Sequence, residues 1–498
     1  MKLIAWFAAL AVSVAACMSG KQTETDGPVV VCADGRQLRV QPARTSAFPL
    51  NQLWPGYQRP LEQTKMGYFV TVDLDRAAEL SVDFGGRDVP AAARIRPLSH
   101  VQPRREGNSW RVSLEHPEQF VLEFPGKGGD AAAPDLHVFV NEPFRYRHVP
   151  GEIYFGPGEH DAGLIVPKSG QTVCIDEGAV VYGSICAWGA KDVTITGRGV
   201  LDSSRVRRCS GNRAVMAALS RIMLDGASPQ RDGTQLTLYS CTNVTVSGII
   251  FRDAPFWSVI VRNESKNVSF DNIKVVGQWR YNSDGVDVCA SEDVTLRNSF
   301  VRSFDDCVVA RGALLPGGEH GPLRNFTVEN CVLWCDWGKN LEVWAGRRSC
   351  IIDGVVFRNC KCVQTDHAVC DVTTWTGAPE VAIRNVLFEN IEVDRVSPTW
   401  RGQFQRKDAP DEKFVPRPRE DLNLLIVDFQ PNAEVKADIA DCRVVYENIR
   451  FSGATVLGDA PRKISVSLGC DDKRLSIRGM VLEGLPPRTS VRRRGDIR

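Results

Sequence analysis

Charge of one sign is what this 498-residue sequence has least of: 61 Lys and Arg stand against 60 Asp and Glu, for a net charge of +1. A chain so close to neutral sets up no global field for nucleic acid or a strongly anionic partner, so no nucleic-acid partner is expected and recognition has to be local. Long apolar runs are missing once the N-terminus is passed, which excludes a membrane-spanning helix there. Zinc-type cysteine spacings are missing too. Cys331 with Cys335 and Cys360 with Cys362 do not make a two-pair structural site, and each sits in β-patterned sequence where a thiol acts as a small buried hydrophobe. Setting Cys17 aside from the 16 cysteines leaves an odd number, so some must be free. No metal and no cofactor is expected.

The N-terminus is the one apolar exception. Met1-Lys2 is followed by the apolar stretch Leu3 to Ala16 and then Cys17, the pattern of an export signal. Val14-Ala15-Ala16-Cys17 resembles a bacterial lipobox, which implies that Cys17 is lipidated. Residues 1–17 are therefore expected to be a signal peptide and 18–27 a polar tether. The expected location is the periplasm or cell surface, with membrane contact only through the lipid anchor. The sequence leaves the oligomeric state open.

The hydrophobic share of 43% and the 42 glycines fit a loop-rich β protein. Residues 28–150 carry short alternating runs, such as Tyr68-Phe69-Val70-Thr71-Val72 and Leu136-His137-Val138-Phe139-Val140, between Gly, Pro and Asp turns. This pattern predicts a β-sandwich. From 151 to about 490 a different unit repeats. Segments starting at Asp192, Asn243, Asn267, Asp293, Asn325, Cys350 and Val381 each read as strand, polar corner and second strand. Strands rich in β-branched residues, at a period in the twenties, predict a right-handed parallel β-helix, a solenoid in which each coil covers the next. The 51 residues between Asp192 and Asn243 leave room for one more coil. Corner Asn and Cys residues are expected to stack in internal ladders.

Two acidic strings lie about one coil apart: Asn282-Ser283-Asp284-Gly285-Val286-Asp287 and Phe304-Asp305-Asp306-Cys307. Phased against the repeat, Asp284, Asp305 and Asp306 fall on one sheet face. Strict alternation would send Asp305 and Asp306 to opposite faces, so one must lie at a bend if both act. Asp287 is expected to point inward as a corner hydrogen-bonder. Crowded carboxylates without a His or Ser nucleophile suit glycosidic cleavage, one protonated carboxyl serving as acid and ionised partners activating water. A calcium loop would instead spread its oxygens along one continuous segment. Trp257, Trp279, Trp334, Trp337, Trp344 and Trp375 surround these strings, and several are expected to face a groove as platforms for sugar rings. Lys339, Glu342, Trp337, Trp344 and His367, on the next coils, are the candidate substrate-binding residues.

These strings resemble the Asn-Thr-Asp-Gly-hydrophobic-Asp and Asp-Asp-Cys-hydrophobic motifs of polygalacturonases, glycoside hydrolase family 28, and the fold resembles that of the sister dextranases of family 49. The resemblance implies an α-linked polysaccharide or oligosaccharide as substrate, Asp305 as general acid, and Asp284 with Asp306 holding the attacking water of an inverting hydrolysis. Inversion is carried by the resemblance alone. The family's Gly-His-Gly and Arg-Ile-Lys strings are missing, which points away from polygalacturonate. A non-catalytic glycan-binding β-helix and a polysaccharide lyase are the alternatives.

Overall fold

The structure, a computed structural model, describes residues 29–47, 61, 64–99, 101–126, 131–206, 234–312, 321–345, 350–374, 380–396, 421–430, 442–458, 461 and 463–498. Cys17, the signal and tether residues, and Trp375 lie outside these residues.

Two five-stranded sheets form the N-terminal part. Val30–Ala33, Ala78–Asp83 and Ser109–Leu114 lie in one; Thr64–Asp73, Ala131–Asn141 and Gln119–Pro125 lie in the other. Alternation sets the facing. Val70, Val72, Leu122 and Val138 meet Val31, Leu80 and Val112 in the sandwich core. The intervening Phe69, Val121 and Phe139 point out of the sandwich and pack on Val276, Phe300, Val332 and Trp334 of the next domain. The second sheet is thus buried on both sides, which is why its strands are nearly continuous in apolar residues.

From Ile153 to Ile497 the chain winds into one stack of 30 strands, a right-handed parallel β-helix. Each coil contributes three short strands. One face carries Val259–Arg262, Val286–Cys289, Val308–Arg311, Leu341–Ala345 and Cys370–Thr374, paired in parallel from coil to coil. A second carries Thr242–Ser247, Lys266–Asp271, Glu292–Arg297, Leu323–Glu329 and Cys350–Arg358. The third carries Ile250–Arg252, Lys274–Val276, Phe300–Ser303, Val332–Cys335 and Lys361–Thr365, and receives the sandwich. The interior is filled by inward residues of every rung, among them Val286, Val288, Val308, Leu341 and Val343.

Two expectations are corrected here. Lys191–Gly197 pairs directly with Thr242–Ser247, so the 51-residue interval holds no extra coil in the stack. The asparagine ladder is external: Asn298, Asn330, Asn359 and Asn390 sit at φ 52°, 56°, 53° and 49°, a left-handed conformation that Asn tolerates, and the amides of Asn330, Asn359 and Asn390 each donate to the asparagine one coil before at the exposed corner. All 14 described cysteines are free, and Cys331, Cys335, Cys360 and Cys362 are buried in the core as small hydrophobes, so no disulfide occurs among the described residues.

Candidate active site

The third-face strands end and the site-bearing strands begin across a short turn in every coil, and the acidic strings occupy two successive copies of it. Gly285 and Val286 donate to the carbonyls of Asp306 and Cys307, which locks Asp284 one rung from the pair. Residues 304–306 form a bend ahead of Val308–Arg311, so the strand's alternation does not apply to them. Beneath the bend the Asp305 carbonyl accepts from Ser303 Oγ at 2.6 Å and from Cys335 Sγ at 3.1 Å. Gly338 of the following coil closes the space: a Cβ there would lie 2.4 Å from Asp306 Oδ1 and 2.6 Å from Asp305 Oδ1. Both carboxylates therefore rest against the same glycine, which only a residue without a side chain permits.

Their partners differ. Asn282 Nδ2 donates to Asp305 Oδ2 at 3.1 Å, and the Lys339 backbone N–H donates to Asp306 Oδ1 at 2.8 Å. Arg311 Nη2 donates to Asp284 Oδ2 at 2.9 Å and lies 3.9 Å from Asp306 Oδ2, while its Nε donates to Asp287 Oδ1. The Arg311 guanidinium lies over the rings of Trp257 and Trp344, 4.9 and 5.1 Å from their centroids. Sequence reasoning missed Arg311. Its signal was there: Val308-Val309-Ala310-Arg311 pairs with Val286-Asp287-Val288-Cys289, and a charged residue in so apolar a strand needs a buried counter-ion.

Asp287 is a correction. Val286 and Val288 point inward, so Asp287 points outward into the site, in one file with Glu342 and Asp371 of later coils. Counting in twos from Asp284 failed because Asp284 precedes the strand.

Lys339 and Glu342 are both buried and paired with one another. His367 sits half-buried on the next coil, its backbone N–H donating to the Gly338 carbonyl at 2.8 Å. The tryptophans are not the open platforms expected: Trp257, Trp279, Trp334, Trp337 and Trp344 are all buried. Trp337 stacks on Phe304 at 5.4 Å, supporting the bend, and Trp334 belongs to the sandwich interface.

The balance of charge is the main electrostatic fact. Asp284, Asp287, Asp305, Asp306, Glu342 and Asp371 interact across the coils, answered by Arg262, Arg311 and Lys339. Burial, with Asp287 and Asp305 close by, holds Asp284 well above the usual carboxylate range despite Arg311. Burial pushes Asp287 up to about 6 against the pull of Arg311. Burial and Asp306 push Glu342 up to about 8 against Lys339. One guanidinium shared among three acids does not outweigh desolvation and mutual repulsion, so protons are retained here near neutral pH. Asp284 Oδ1, Asp287 Oδ2 and Glu342 Oε2 are buried without a hydrogen-bond partner, polar atoms open to a ligand. No group of His, Cys, Asp and Glu among the described residues has the geometry to hold a metal ion.

Comparison with known proteins converges on this part of the chain. Residues 187–399 match the family model for glycosyl hydrolases family 28. The chain is 28% identical over 185 residues to a probable endopolygalacturonase D of Emericella nidulans, covering 36% of this chain and 33% of that protein. It is 22% identical over 296 residues to an exopolygalacturonase of Cochliobolus carbonum, covering 49% and 61%. It thus spans about a third of the length of the first of these curated relatives. Among solved structures, Dex49A from Penicillium minioluteum superposes with a TM-score of 0.52 at 12% identity, covering 91% of this chain and 87% of that one, a likeness of fold.

Proposed function

We propose that this chain is a right-handed parallel β-helix glycoside hydrolase of the group that includes family 28, and that it hydrolyses an α-linked polysaccharide or oligosaccharide at the cluster built around Gly338. The observation that carries this is the convergence of Asp284, Asp305 and Asp306 from adjacent coils in a buried site with more acids than bases. Asp306 accepts a backbone N–H and lies near Arg311, an arrangement that suits it to hold a water as base, with Asp284 joining it once ionised. Asp305, against the same glycine, would protonate the departing glycosidic oxygen. Inversion of the anomeric carbon follows if the water enters opposite that oxygen.

The same balance supports a substrate without a carboxylate at the reacting sugar. Arg262, Arg311 and Lys339 are each engaged by acids of the cluster, and the partnerless carboxyl oxygens suit neutral hydroxyls, which both donate and accept. A uronate would add a further anion to a site already in excess. Export with lipidation at Cys17 is part of the proposal, and a Cys17→Ser chain that still fractionates with membranes would count against it.

The test is a panel of neutral α-linked oligosaccharides and polygalacturonate, read by reducing-end release and by proton NMR of the first anomer formed. Release from a neutral glycan with inverted configuration is expected. Retention would remove the inverting mechanism, and release from none would favour the glycan-binding alternative.

A further inference from the structure

Arg311 is the group around which the carboxylates are arranged. It lies on Val308–Arg311 and faces charged groups from every neighbouring coil: Asp284 and Asp287 on the preceding one with Arg262 beyond, Asp306 and Asp305 on its own, and Glu342 with Lys339 on the following one, with Asp371 past them. It packs over the rings of Trp257 and Trp344 and is buried. Its position is set by packing and its charge is spent on the acids.

We propose that Arg311 is a positioning residue that sets how many protons the cluster holds, bringing the ionisation of the water-activating carboxylates to a lower pH than burial and crowding alone would allow. The proposal rests on the hydrolase reading for its kinetic consequence but not for its electrostatic one. An opposite charge at hydrogen-bonding distance lowers a carboxylate pKa by about one to three units. Removing it lets the acids rise by that amount. A base that must be ionised then fails on the acid side, and the acidic limb of the rate profile moves to higher pH.

The same change is visible without substrate. Carboxyls whose folded pKa rises further above the unfolded value hold extra protons in the folded state, so stability falls more steeply as pH rises from about 4 toward 8. Arg311→Gln and Arg311→Lys are compared with wild type for thermal unfolding from pH 4.5 to 8 and for kcat and KM against pH. Arg311→Gln is expected to match wild type most closely at pH 4.5, to fall progressively behind as pH rises, and to carry an acidic limb shifted upward by about one to three units. Arg311→Lys keeps the charge, so its limb stays in place while kcat falls through lost geometry. If Arg311→Gln does not fold, Arg311→Gln/Asp287→Asn removes one charge of each sign and is expected to fold with its limb near wild type.

A uniform loss of stability at all pH values with an unmoved limb would overturn the proposal, as would a lysine variant that behaves like the glutamine one. If wild type hydrolyses nothing, the hydrolase reading fails while the unfolding series still decides the role of Arg311.

Discussion

Two regions of this molecule bury charge, and they do it in opposite ways. Where the sandwich meets the β-helix, Lys65, Arg96, Arg302 and Arg395 face Asp135, Asp336, Glu123 and Asp394, base for acid. Arg302 is fully buried on Trp334, 3.9 Å from the ring centroid, and its Nη1 donates to His137 Nε2 at 2.9 Å. Burial and the Arg302 charge lower His137 to about 3, so it stays neutral, accepting from Arg302 and donating to the Tyr68 carbonyl. Burial works against the Asp135 charge, yet Lys65 and Arg302 hold that carboxyl below its ordinary range. At the cluster beside Gly338 the acids outnumber the bases and are pushed up. Matched burial fixes a geometry, whereas unmatched burial keeps protons available to move.

The sharpest way to break this contrast is to neutralise acids on the unmatched side. Asp284→Asn and Asp306→Asn are each expected to lower kcat by about 10²- to 10⁴-fold, with unfolding temperature unchanged or raised because repulsion is relieved. A drop in stability comparable to loss of a buried ion pair would place these residues with the matched set instead.

A smaller effect is expected from crowding the same carboxylates without touching charge. Gly338→Ala puts a methyl against Asp305, Asp306 and the Asp306 backbone nitrogen, all closer than 3 Å. Turnover is expected to fall by about 10²-fold, the scale of a 1 Å misplacement. Activity kept at the wild-type level would mean that the carboxylates do not act from these positions.

The mildest probe reads protons directly. Glu342 has an ordinary pKa of 4.5 and is pushed up to about 8 in the fold, so wild type loses stability as pH rises through that interval. Glu342→Gln cannot ionise and is spared that loss. Its unfolding temperature relative to wild type is therefore expected to climb between pH 5 and 8; a difference that is constant or declines with pH would show Glu342 already ionised by Lys339.

The architecture was largely legible from sequence because a solenoid repeats its own evidence: β-branched strands and Asn corners recur coil after coil. The interval before Asn243 misled because length alone does not distinguish a loop from a coil. Asp284, Asp305 and Asp306 were legible because each sits at the same turn of its coil, and turn position survives in the spacing. Asp287 and Arg311 were not, since their facing depends on where the strand begins, which a motif does not reveal. The tryptophans misled for a physical reason. An indole face serves a buried guanidinium as well as a sugar, and Trp257, Trp344 and Trp334 are all used in that way. The docking of the sandwich was written in Phe69, Val121 and Phe139, apolar residues on the face that an isolated sandwich would leave to water.

The contrast is decided most directly by one paired measurement on the full chain: denaturant unfolding and reducing-end release from α-linked oligosaccharides for Asp305→Asn and for Arg302→Met. Asp305→Asn is expected to lose release while keeping its stability, and Arg302→Met to lose about 3–5 kcal/mol of stability while the folded fraction releases sugar at the wild-type rate. Release by Asp305→Asn equal to wild type would contradict the assignment of the unmatched cluster as the reacting centre.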